Sequence, residues 1–252
     1  MTEPPFSRKK MGFAQTARNY ALLYWHLLLK NRWVFVRQAL RGWMDVGSLW
    51  PTGGALRRKT VRMGIGDALD INLMILHGVG CGEFLYEVLK YVRRNRIRLK
   101  TLIVIEKNKA FIAQASRLLG LMRSTESFEA QVVIECLDAL YTRSYLASNG
   151  FPVADVVIGT LPYTNMPDRL GAWVEMYAEI TKTFVLYSYT KLFKRPSARE
   201  ATDTLMALLR RNFSCVSVSD LVWWNIPPAR VISAKQRAPQ MSQASCRRFP
   251  GA

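Results

Sequence analysis

Residues 71–84, INLMILHGVGCGEF, constrain the fold of this chain more than any other stretch. An apolar run from Ile71 to Leu76 leads into three glycines at alternate positions, Gly78, Gly80 and Gly82. An amphipathic helical pattern, EFLYEVLKYVRRN, begins immediately afterwards. Strand, glycine turn and helix form the opening of a doubly wound α/β fold. The glycines let the backbone approach a ligand closely, and the helix directs its free N–H groups toward it. GxGxG by itself is a weak signal, because a tight turn with no ligand makes the same demands.

The pattern downstream supports that opening. Strands are expected at Thr101–Glu106, Val132–Leu137, Ala154–Gly159, Thr183–Ser188, Phe213–Ser219 and Ala229–Ala234. Helical patterns lie between them near 83–95, 109–121, 139–148, 168–182 and 198–212. With Ile71–Leu76 this makes a doubly wound, seven-stranded, mostly parallel sheet with both faces covered. The short link WWNIPP between the last two strands predicts an antiparallel hairpin. The expected organisation is a disordered basic N-terminus (1–13), an amphipathic helix and a cofactor-covering loop (14–56), the α/β domain (57–235) and a disordered tail (236–252).

The stretch from about Ala14 to Arg41 holds neither Pro nor Gly, which predicts a long helix. Asn19, His26, Lys30, Arg37 and Arg41 fall on one stripe at helical spacing, beside a broad face bearing Leu22, Leu23, Trp25, Leu28, Leu29 and Trp33. Trp and Leu opposite a basic stripe suit a helix lying in a membrane interface, with Trp25, Lys30, Trp33, Arg37 and Arg41 as the contact residues. A helix packed on the domain core would show the same pattern. Residues 42–56, with four glycines, a proline and two tryptophans, predict a loop. The formal net charge of +18 implies an anionic partner, a membrane surface or nucleic acid. Four scattered cysteines without CxxC spacing argue for a reducing compartment and against a zinc site. No apolar run is long enough to span a membrane. Lys30, Asn31 and Arg32, where a signal peptide would place its cleavage site, argue against export.

Candidate site residues stand at successive strand ends. Glu106 ends the second strand, where a carboxylate can accept both hydroxyl hydrogens of a ribose. Asp138 ends the third, where it can meet an adenine amine or cap the helix that follows. After the fourth strand, GTLPYTNMP places Tyr163 and Asn165 at the edge where open α/β sheets bind ligands, which makes them the candidate catalytic residues. His77 and His26 stand out less, His77 as a satisfied core histidine. Together these features point to a nucleoside-containing cofactor. The GxGxG spacing and the seven-strand count favour S-adenosylmethionine over NAD.

The elements GWMDVGSLWPTGGALRRK, HGVGCGEF, VIEKNKAF, GTLPYTNMP and NIPPARV resemble, in order, those of the soluble bacterial phospholipid N-methyltransferases. The resemblance covers roughly residues 38–234. Its glycine motif is shared by all class I S-adenosylmethionine-dependent methyltransferases, whereas W-x-x-x-G-S-L-W-P-T combined with LPYTNMP and NIPPA is much more specific. It implies a class I methyltransferase-like Rossmann fold and methylation of phosphatidylethanolamine toward phosphatidylcholine. It further implies a cytoplasmic protein, peripheral on the inner face of the cell membrane. It assigns Gly78, Gly80, Gly82, Glu106 and Asp138 to S-adenosyl-L-methionine. Several positions depart from the family pattern. Leu76 stands where an acidic residue is usual, His77 replaces an apolar residue, Cys81 replaces a threonine, and Gly159-Thr160 stands where serine-glycine is usual before Leu-Pro. Two rival readings follow from the same residues. One is an RNA or DNA adenine-N6 methyltransferase, since TLPY approximates the Asn-Leu-Pro-Tyr loop that stacks on a flipped base. The other is a membrane-bound inactive homologue, since Leu76 removes a carboxylate.

Overall fold

The structure, a computed structural model, describes residues 13–25, 33–34, 36–37, 52–125, 128–163, 167–190, 196–225 and 227–236. The apolar run at 71–76 becomes β1 (Asp70–His77), which pairs in parallel with β2 (Arg98–Glu106) and β4 (Ala154–Gly159). β3 (Gln131–Cys136) lies outside β2, and β5 (Thr181–Tyr189) lies beside β4, both parallel. β7 (Ala229–Lys235) runs antiparallel between β5 and β6 (Cys215–Val218), so the sheet order is β3-β2-β1-β4-β5-β7-β6. The seven strands, their mainly parallel sense and the closing hairpin match the expectation from sequence.

The central strands read as near-continuous apolar runs because helices cover both faces. Met74 and Leu76 of β1, Leu102 and Val104 of β2, and Val156 and Ile158 of β4 belong to one apolar cluster. Leu73, Ile75, Ile103, Ile105 and Val157 belong to the other. On the first face lie α2 (Gly54–Ile65), α3 (Glu83–Arg94) and α4 (Lys109–Thr125), with α1 (Phe13–Trp25) packed outside on α4. On the second lie α5 (Thr142–Ser148), α6 (Leu170–Ile180) and α7 (Pro196–Asn212). Short 3₁₀ turns, Ala139–Tyr141 and Pro167–Arg169, precede α5 and α6.

Two expectations are corrected. The predicted loop 42–56 ends in helix, because α2 already begins at Gly54. Gly42, Gly47, Gly53, Gly54 and Pro51 made this stretch look like turn. Yet Leu56, Thr60, Val61, Met63 and Ile65 are buried, and Gly64 lets the helix approach Val156 and Val185. The second correction concerns the polar stripe. Asn19 does not face solvent; it is buried and donates from Nδ2 to Ser124 Oγ at 3.1 Å, next to buried Leu23. The Tyr20 hydroxyl donates to the Thr125 carbonyl on the same face. This part of α1 is therefore a helix docked on the core, while Leu22 and Trp25 are exposed. Trp33 and Arg37 are exposed helical residues. His26, Lys30, Arg41 and most of the segment 26–51 lie outside the described residues, as do the predicted N-terminal and C-terminal tails.

Candidate active site

The parallel strands β1, β2, β3 and β4 all end on one edge of the sheet, and the glycine turn lies at its centre. Gly78, Gly80 and Gly82 have φ of 70°, 56° and 100°, a region that side chains with a Cβ rarely enter. Space adds a second constraint. A Cβ on Gly78 would sit 3.0 Å from Leu161 Cδ2, and one on Gly82 would sit 2.9 Å from Leu118 Cδ2 and 3.2 Å from the Ala115 backbone. Gly82 caps α3 in the left-handed conformation and brings that helix against α4.

Glu106 joins the turn to β2. One carboxylate oxygen accepts from the Gly80 N–H at 3.2 Å, the other from the Asn108 N–H at 2.9 Å. Burial raises its pKa, and the backbone donors at Asn108 and Gly80 pull it back. A carboxylate has about four acceptor positions. With the Lys107 backbone as a further donor, acceptor capacity still remains for a hydroxyl arriving at the strand edge. Asp138 takes the capping role: its Oδ1 accepts from the Leu140 N–H at 3.0 Å, and Arg169 stands 3.4 Å from Oδ2. It remains half-buried at the end of β3, next to the site.

His77 is fully buried and satisfied, as a core histidine should be. Thr142 Oγ1 gives its proton to the Ala139 carbonyl at 2.7 Å, so it accepts from His77 Nε2–H at 2.9 Å. Nδ1 then accepts from the Tyr177 hydroxyl at 2.9 Å, and Tyr177 accepts from Tyr163 at 3.5 Å. Burial pushes the imidazole down to about 3, against the opposing pull of Asp138, so the ring is neutral at pH 7. Sequence had flagged His77 and Tyr163 separately. Thr142 and Tyr177, which connect to them, lie in helices with nothing local to mark them.

This chain fixes Tyr163. Its ring is 4% exposed, set edge-on against Trp173 and Phe184, and its hydroxyl points into the core. A Cβ on Gly159 would lie 1.9 Å from that hydroxyl, so the glycine makes room for it. Sequence had expected the Tyr163 oxygen or ring face to line an acceptor pocket; here both are taken up by packing. Asn165 lies outside the described residues. Thr160, which sequence noted only as a change from the family pattern, holds the loop to the turn. Its backbone N–H donates to the His77 carbonyl, and its hydroxyl donates toward the His77 and Gly78 carbonyls.

The segment before α2 closes on the same edge. Asn225, 3% exposed, accepts from the Gly53 N–H at 2.7 Å and donates to the Pro227 carbonyl at 2.7 Å. The Thr52 and Tyr187 hydroxyls are bonded at 2.8 Å, and Tyr187 stacks near Phe84 in the first turn of α3. PTGG and NIPP, the two outer motifs of the sequence, are thus physically joined.

No protein-family model matches the sequence, and a search of curated proteins finds no match. Solved structures do resemble it. One is a Listeria monocytogenes protein described as a class I S-adenosylmethionine-dependent methyltransferase, with 11% identity, a TM-score of 0.52, and 77% of this chain and 62% of that one covered. Another is the small RNA methyltransferase HEN1, with 15% identity, a TM-score of 0.54, and 74% and 26% covered. A third is a precorrin 8w decarboxylase from Methanobacterium thermoautotrophicum, with 14% identity, a TM-score of 0.50, and 73% and 91% covered. At these identities the likeness is one of fold: this chain has a methyltransferase-like α/β fold.

Proposed function

We propose that this chain is an S-adenosylmethionine-dependent N-methyltransferase that acts on the phosphatidylethanolamine headgroup at an anionic membrane surface. The observation that carries the reading is the cradle at the sheet edge. A glycine turn in which Gly78 has φ 70° and a Cβ would crowd Leu161 at 3.0 Å stands beside a buried carboxylate, Glu106, which keeps acceptor capacity for a hydroxyl. Two structural neighbours are methyltransferases by description, which supports the same cofactor. Gly78, Gly80 and Gly82 would hold its backbone-facing parts, Glu106 its ribose and the edge near Asp138 its base. Bound there, S-adenosylmethionine supplies an electrophilic methyl group. The chain's task is to align an amine lone pair with that methyl and to exclude water.

The lipid substrate rests on the family resemblance, on the +18 charge and on the joining of PTGG to NIPP. One detail weighs against the adenine-N6 rival: Tyr163, where a base would stack, is buried. Leu76 is buried in the apolar core and offers no acceptor to the amino end of a cofactor.

The test is to incubate purified protein with labelled S-adenosylmethionine and either phosphatidylethanolamine liposomes or RNA. Label in the lipid supports the proposal, and label in RNA alone replaces it with the adenine reading. No transfer, together with no calorimetric binding of the cofactor, means an inactive homologue.

A further inference from the structure

We propose that the β6–β7 hairpin tip, Trp223 and Trp224, is a docking element that sets the cofactor edge of the sheet against an anionic bilayer. The proposal rests on the lipid reading of the site and names a contact that the N-terminal helix does not provide. Trp224 is 89% exposed and Trp223 71%, beside Trp33 at 73% among the described tryptophans. Their exposure is built rather than loose. The Val222–Ala229 bridge closes the hairpin below them, and buried Asn225 locks the turn to Gly53 just after them. The side of the turn that could fold inward is filled, since a Cβ on Gly53 would already sit 3.2 Å from the Trp224 carbonyl.

Topology fixes where this tip lies. β7 is antiparallel to β5, and Ala229 at its start pairs with Tyr189 at the carboxyl end of β5. The hairpin tip therefore projects from the same edge as the glycine turn, three strand positions from β1, or about 14 Å at ordinary strand spacing. Exposed Tyr141 stands on this edge too, after β3. So do the exposed cations Arg58, Lys107, Lys109 and Arg169, set against Asp168 and Asp220.

Tryptophans favour the headgroup layer of a bilayer, and cations around them favour anionic lipid. A single-stranded nucleic acid would also stack on tryptophan, but it needs cations beside the rings to meet its phosphates. Residues 221–228, LVWWNIPP, carry no charge at all. An uncharged aromatic tip with cations set back on neighbouring loops fits insertion into a headgroup layer better than a phosphate track.

The experiment compares the full chain with the double variant Trp223→Ala/Trp224→Ala. It uses sedimentation with vesicles of phosphatidylglycerol and phosphatidylethanolamine, and quenching by brominated acyl chains. Leu69→Ser, at an exposed apolar residue before β1 on the opposite edge, is the control. The expected result is a loss of vesicle partitioning of about tenfold or more in the double variant, with an unchanged thermal midpoint and no loss in the control. Equal partitioning of the double variant and the unaltered chain overturns the hairpin proposal and leaves the lipid reading standing. If the unaltered chain ignores the vesicles, both fail. If it instead binds single-stranded RNA through these tryptophans, the surface is a nucleic-acid platform.

Discussion

Glu106 is the residue on which the proposed site turns. Its carboxylate lies at the end of β2 with one oxygen on the Gly80 N–H and the other on the Asn108 N–H. Glu106→Ala should weaken S-adenosylmethionine binding by about 1.5–3 kcal/mol, the scale of hydrogen bonds to a charged group. Isothermal calorimetry reads this directly, and an unchanged affinity in a folded variant would remove Glu106 from the site. His77 makes a different prediction. Its folded pKa of about 3 lies below the ordinary 6.5, so the unfolded chain binds the extra proton between those values. Stability is then whole above about pH 6.5 and falls with decreasing pH toward 3, by up to about 1.4 kcal/mol per pH unit. His77→Gln, which can still donate to Thr142 and accept from Tyr177, should flatten that dependence in urea unfolding at pH 7 to 4. The difference between the two chains isolates His77 from Glu106, whose raised pKa contributes with the opposite sign. Sequence could place Glu106 because a strand end after a glycine turn is a position with one well-defined use. It could not orient Tyr163, because the partners that turn its hydroxyl inward, Tyr177 and Phe184, come from α6 and β5.

Among elements, the glycine turn and the two helices that meet behind it form a unit. Gly82→Ala places a Cβ at φ 100° and 3.2 Å from the Ala115 backbone. Strain and overpacking together should cost about 2–4 kcal/mol, with cofactor affinity falling as the turn shifts. Thermal unfolding with and without S-adenosylmethionine checks both effects. The strands were legible because burial on both faces produces long apolar runs that no surface element shares: Ala154–Gly159 was bounded to the residue. α2 was hidden because its glycines serve helix packing and a backbone clasp, uses that look like turn in a string of letters. α1 misled for a similar reason. A helical stripe of polar residues does not reveal that Asn19 meets Ser124, a partner 105 positions away.

For the whole molecule, charge sets the long-range behaviour. At +18 the chain should sediment with anionic liposomes, weakly with neutral ones, and less as salt rises and the Debye length shrinks. Replacing Lys30, Arg37 and Arg41 with Gln should lower that binding while calorimetry shows the same cofactor affinity. A salt-independent interaction would mean that apolar contact alone holds the protein to lipid. The clasp between Gly53 and Asn225 has a consequence in time. It joins residues 172 positions apart, so during synthesis the Gly53 N–H emerges long before the amide that will receive it. The hairpin that carries Asn225 is the last strand pair of the sheet. The front of the domain is therefore sealed only when its back has been made, and a nascent chain has no finished glycine-turn edge to offer until translation has passed this hairpin.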